Sequence, residues 1–149
     1  DLIVTLFMTA QAAIFAKQPE TAYAALDELR ERARNRTNPQ LHAIAQADFM
    51  EARLLISTGD SEKGLERLYQ AREQLVHFGG ENHNDVLVTR YMEIQALRDL
   101  GRIDEAQAAW IQADTQRREH FADIPAFEKA FGELRESLDA ATAVHMQSQ

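Results

Sequence analysis

Five histidines, at positions 42, 77, 83, 120 and 145, are the side chains best suited to ligate a metal or carry a proton in this chain. No two stand four residues apart, and none falls at the spacing of a zinc ligand set. His83-Asn84-Asp85 comes nearest to an ion-binding or acid–base triplet. The 24 carboxylates are interleaved with arginines, as Asp27, Glu28 and Glu31 are with Arg30, Arg32 and Arg34, which is the pattern of solvated helix faces. Gly79-Gly80 follows a helical pattern instead of opening one and lacks the Lys-Ser/Thr ending of a phosphate loop. Cysteine is absent, which excludes disulfides and thiol catalysis. The run Arg30, Arg32, Arg34, Arg36 is the only basic cluster, and Glu31 interrupts it in a chain of net charge −8. Nucleic acid and an anionic membrane are therefore disfavoured as partners. The expectation is a protein without catalytic residues, metal or cofactor.

What orders the chain is a repeated distance. Phe7-Met8, Phe49-Met50 and Tyr91-Met92 are aromatic-Met pairs 42 residues apart. The same step joins Ala10, Ala52 and Ile94; Ala22, Gly64 and Ala106; Leu26, Leu68 and Trp110; and Leu29, Ala71 and Ala113. Several sets in one phase point to duplication of a structural unit that buries its apolar face against its neighbours. A length of 149 residues fits one domain, and 45% hydrophobic with 27% charged residues is ordinary for a globular chain. The apolar stretch Leu2 to Ala16 lacks a basic region before it and is too short for a bilayer, so it reads as the first helix of the series. With Asp1 in place of an opening Met, the expectation is a fragment or a processed chain.

Helical periodicity runs nearly throughout and predicts an all-α fold of seven helices near 2–16, 19–35, 39–58, 61–78, 85–100, 103–121 and 125–144. Gln18-Pro19 and Asn38-Pro39 place Pro at a first helical position. Gly59-Asp60-Ser61 and Gly101-Arg102-Ile103-Asp104 end one helix and begin the next, so paired helices are expected to be antiparallel. Small residues at 22, 64 and 106 allow close approach, and Leu26, Leu68 and Trp110 are expected to fill the space between units. Met8, Met50 and Met92 read as packing. In the last helix Phe127, Ala130, Phe131, Leu134, Leu138 and Ala141 form one apolar stripe, which suits a cap, and the tail from His145 is expected to fray.

Gly59-Asp60-Ser61-Glu62-Lys63-Gly64 with Leu68 and Ala71, and Gly101-Arg102-Ile103-Asp104-Glu105-Ala106 with Trp110 and Ala113, resemble a tetratricopeptide repeat (TPR) array. The first unit departs from the pattern, with Lys17-Gln18-Pro19 in place of the Gly turn. The 42-residue length resembles the kinesin-light-chain-like branch, whose Gly-x-x-His-Pro-Asp-Val linker is matched by Gly80-Glu81-Asn82-His83-Asn84-Asp85-Val86 except at Asn84. A linker role accounts for His83 better than an ion or a base does. The resemblance implies antiparallel hairpins stacked in a right-handed superhelix. It implies one domain over 1–149, with repeats at about 2–37, 38–79 and 80–121 and a capping helix at 125–144.

In that family the first helix of each unit lines the concave face. The resemblance places Phe7, Gln11, Phe49, Arg53, Tyr91, Gln95 and Arg98 there, with Val4, Ile14, Phe15, Gln46, Ile56, Ser57, Val88 and Asp99 around them. Aromatics beside long polar side chains suit a peptide or a protein partner, and the arginines favour an acidic one. Aromatics at helical spacing are equally a core signature for Phe7 and Phe49, while the Tyr91 hydroxyl favours exposure. The expected function is a non-catalytic protein- or peptide-binding scaffold, the regulatory part of a larger bacterial signalling protein, in the cytoplasm or the periplasm. The alternatives are a self-association or intramolecular packing module, with a homodimer left open, and a small-molecule-sensing segment of a transcription activator.

Overall fold

The computed structural model describes residues 1–37 and 39–149 as seven α-helices: α1 (Leu2–Phe15), α2 (Pro19–Arg34), α3 (Leu41–Ser57), α4 (Ser61–Gly79), α5 (Asn84–Asp99), α6 (Ile103–His120) and α7 (Pro125–Gln147). There is no strand among the described residues. The fold is all-α and resembles a helical repeat. Pro19 opens α2 as its first residue. Pro39 does not open α3; Gln40 precedes the helix, and the Pro39 carbonyl accepts from the Leu41 amide, while Asn38 lies outside the described residues. The tail is helical to Gln147 instead of fraying at His145.

The 42-residue step is written into the backbone. Lys17, Gly59 and Gly101 all have positive φ, at 56°, 92° and 75°. The amides around each bond identically. Gln18 donates to the carbonyl of Ala13, Asp60 to Leu55 and Arg102 to Leu97, while Lys17, Gly59 and Gly101 donate to Ile14, Ile56 and Arg98. This is the double closure that satisfies the last carbonyls of a helix and reverses the chain. The helices that follow start at 19, 61 and 103, one step of 42 apart. Glycine adopts this conformation freely, whereas Lys17 holds it against contact between its Cβ and the backbone.

Contacts divide the chain into two compact units, residues 1–78 and 79–149. In the first, α1 packs on α2, α2 on α3, and α1 also touches α3. Ile3, Leu6 and Ala10 meet Ala25, Leu26, Leu29 and Ala33 of α2 and Ile44, Ala47 and Met50 of α3 in one core. Where α4 crosses α3, a Cβ on Gly64 would lie 2.5 Å from Ile56 Cγ1 and 3.3 Å from the Ala52 carbonyl, so only glycine admits this approach.

Arg30 departs from the solvated face that its sequence neighbourhood suggests. It is 5% exposed and donates from Nε to Asp48 Oδ1 at 2.8 Å and from Nη1 to Asp27 Oδ1 at 3.0 Å. Its Nη2 pairs with Glu51. Gln74 of α4 donates to the other Asp48 oxygen at 3.3 Å, so one charge cluster ties α2, α3 and α4. The rest of the basic run is dispersed: Arg32 pairs with Glu28 at 2.9 Å and Arg36 with Asp1 at 3.2 Å.

In the second unit α5 packs on α6, α6 on α7, and α5 touches α7, the same order of neighbours as α1, α2 and α3. The expected α7 stripe is in place, with Phe131, Leu134 and Leu138 buried. Trp110 is half-buried, unlike the fully buried Leu26 and Leu68 of its phase, and the Arg135 guanidinium lies 4.6 Å above its ring.

The turn and the charge cluster give two expectations, both read by urea unfolding. Gly59→Ala and Gly101→Ala should each cost about 1–2 kcal/mol, and Lys17→Gly should stabilise by a few tenths to about 1 kcal/mol. Arg30→Ala should cost about 3–5 kcal/mol by orphaning buried carboxylates, whereas Arg30→Met with Asp48→Leu and Glu51→Leu should recover most of that loss.

Candidate functional site

Two helix faces meet along a cleft in the first unit. Residues three and four apart share a helical face. On α1 this brings Gln11, Ile14 and Phe15 together, and on α3 Met50, Arg53, Leu54 and Ser57. These seven residues line a cleft of about 190 Å³. Its floor is apolar, formed by the buried Met50 and Leu54, and its rim is polar, formed by the exposed Gln11, Arg53 and Ser57. Phe15 stands 91% exposed at the edge. Arg53 is exposed and no ion pair engages it among the described residues. It thus offers a free cation beside apolar surface, in contrast to Arg30.

Of the residues assigned to the binding face, Gln11 and Arg53 line this cleft together. Phe7 is half-buried and packs against the core shared by α1, α2 and α3, and Phe49 is also half-buried. The floor residues Met50 and Leu54 were not among the sequence candidates. The signal available was that Met50 precedes Arg53 by three residues and Leu54 by four, on the same helical face. A wider and more open hollow of about 880 Å³ lies on the same unit, between Arg34, Leu41, Ile44, Gln74, Val76 and Phe78. It brings together none of the residues that the sequence selected.

In the second unit two of the assigned side chains, Tyr91 and Arg98, are engaged. The Tyr91 ring meets buried Phe131 of α7 edge-on at 5.6 Å, so it is half-buried where its hydroxyl had argued for exposure. Arg98 donates from Nη1 to Ser137 Oγ of α7 at 2.5 Å and from Nε to Asp99 at 3.1 Å. Gln95 is half-buried between them in sequence.

His83 serves as a cap. Its Nδ1 accepts from the Asp85 amide at 3.1 Å at the start of α5. Its ring takes the space that a Cβ on Gly79 would need. No group of three or more His, Cys, Asp or Glu side chains among the described residues is placed to hold a metal. Nor is any helix among them long and apolar enough to cross a membrane. Comparison with protein-family models, with curated proteins and with solved structures gives no match.

If Tyr91 acts as an anchor for α7, a double-mutant cycle of Tyr91→Leu and Phe131→Leu should give a coupling of about 0.5–1.5 kcal/mol in urea unfolding. Additive losses would show that the two rings do not support each other.

Proposed function

We propose that this chain is a non-catalytic binding module of the TPR kind, with its helices paired as antiparallel hairpins and stacked in a right-handed superhelix like that of the kinesin-light-chain-like branch. Its ligand is an extended or helical segment of a protein partner, held at the cleft between α1 and α3. The single observation that carries this reading is the unpaired Arg53 beside an apolar floor and the exposed Phe15. Each group has a role there. The floor of Met50 and Leu54 accepts an apolar side chain of the peptide. The Gln11 amide and the Ser57 hydroxyl can bond its backbone, and Arg53 attracts a carboxylate. Gln11 and Arg53 stand one repeat apart, so successive residues of the ligand meet equivalent positions. Such a module suits the regulatory part of a larger bacterial signalling protein.

The cleft's size weighs against a metabolite as the occupant of this cleft. Small-molecule sites are typically about 300–1,000 Å³, and about 190 Å³ holds one side chain, not a whole ligand. Peptides selected from a random display library against the full chain should be enriched in acidic residues next to a large apolar one. Their affinity should fall at least tenfold on Arg53→Glu and on Phe15→Ala, measured by calorimetry. Unchanged affinity in both variants would overturn the assignment of the cleft.

A further inference from the structure

Two 42-residue steps carry α1 onto α5 and α3 onto α7. Pro125, the first residue of α7, stands two steps beyond Leu41, the first residue of α3. Met50 and Leu54 of α3 correspond to Met92 and Ala96 of α5 and to Leu134 and Leu138 of α7, and all six are buried. Met8, one step before Met50, is 63% exposed, which corrects the expectation that all three methionines pack. Because α5 touches α7 as α1 touches α3, the second unit repeats the pair of helices that forms the cleft.

In the first unit the cleft is bounded by Gln11, Ile14 and Phe15 on α1, and on α3 by Arg53 and Ser57 above the floor of Met50 and Leu54. In the second unit the same places fall on Gln95, Arg98 and Asp99 of α5, and on Ser137 and Ala141 beside Leu134 and Leu138 of α7. The buried floor is kept. The rim differs in one decisive pair, where Ile14 with Arg53 becomes Arg98 with Ser137. The arginine has moved from the second helix of the pair to the first. Ile14 offers Arg53 no acceptor, and Arg53 stays exposed without an ion pair among the described residues. Arg98 instead reaches the Ser137 hydroxyl of the facing helix at 2.5 Å and is held from its own helix by Asp99 at 3.1 Å. Both are charge-assisted bonds, the strong kind. Exposure follows the bonding: Gln11, Arg53 and Ser57 are exposed, whereas Gln95, Ser137 and Ala141 are half-buried.

We infer that the groove between α5 and α7 is a second peptide cleft of the same build, shut by Arg98, so that the chain takes one partner segment at its first unit and none at its second. The nature of the ligand rests on the peptide-binding reading. The closure rests on the repeat phase, the Arg98–Ser137 bond and the exposure pattern alone.

The peptide probe is the tightest binder from the display selection, followed by calorimetry. The native chain should take one peptide and lose it on Arg53→Glu. Arg98→Ile with Ser137→Arg, which gives the second groove the Ile and Arg of the first, should take two and should keep one when Arg53→Glu is added. A swapped chain that is folded by circular dichroism and still takes one peptide overturns the inference, as does a native chain that already takes two.

A second measurement needs no peptide. The chain has no cysteine, so one introduced thiol reports on its own position. With each rate corrected for the measured thiolate fraction, Gln95→Cys should react with a soluble disulfide reagent about threefold or more slowly than Gln11→Cys, and adding Arg98→Ile should bring the two rates together. Equal rates with Arg98 in place, or no acceleration on Arg98→Ile, overturn the closure. If no selected peptide binds, or if binding ignores Arg53→Glu, the peptide-binding reading falls and the thiol rates decide the closure by themselves; they decide it equally if the swapped chain does not fold.

Discussion

When a helix ends on a residue of positive φ, the chain reverses within two residues, and whatever follows must fit against the helix it has just left. This constraint acts three times here, at Lys17, Gly59 and Gly101. Five residues beyond each stands a fully buried small side chain or none: Ala22, Gly64 and Ala106. At Gly64 the clearance is too small even for a methyl group. Once the turn and the neck are fixed, helical geometry sets the residues that face the preceding helix four and seven positions later. The recurrence of Leu26 with Leu68 and of Leu29 with Ala71 and Ala113 follows from that. Hydrophobic burial contributes most of the stabilisation, but the turn decides which residues are buried.

Against this regular frame, charge distinguishes the units. Arg30 and Asp114 occupy equivalent positions two steps apart, and both are buried. Arg30 finds its counter-ions across helices, in Asp48 and Glu51. Asp114 finds its own within α6, in Arg117 at 2.9 Å and Arg118 at 3.2 Å. A buried ion pair contributes little net stability compared with an apolar replacement, yet an unpaired one is costly. If α2 slid by one turn on α3, the guanidinium would lose both carboxylates. The apolar contacts alone, made largely by Ala and Leu, would penalise such a slip much less.

The helices were legible in the sequence because the repeat supplied three views of each boundary. Every helix begins and ends within two or three residues of the position expected from periodicity and turn chemistry, α3 starting late because Gln40 and not Asn38 precedes it. Side-chain environments were harder to read. Arg30 looked solvated within a run of arginines, although it lies four residues beyond Leu26 on the buried face. Asp48, set between Ala47 and Phe49 and one turn from the apolar Ala45 and Ala52, gave the same warning. Met8 could not be told from Met50 and Met92, because phase specifies which positions face a neighbour, not whether the neighbour is present. The environment of Tyr91 depends on Phe131, which lies off the 42-residue step, so the repeat gave no indication of it.

The described side-chain hydrogen bonds span at most 39 residues, from Arg98 to Ser137, and the longest in the first unit joins Arg36 to Asp1 across 35. Closing loops of this size carries a small entropic cost, and chains dominated by such near neighbours reach the native state quickly. Each unit holds its own core and its own turns. During synthesis the leading half can therefore acquire its structure as soon as it clears the ribosome, before the trailing half exists to compete for its apolar surface.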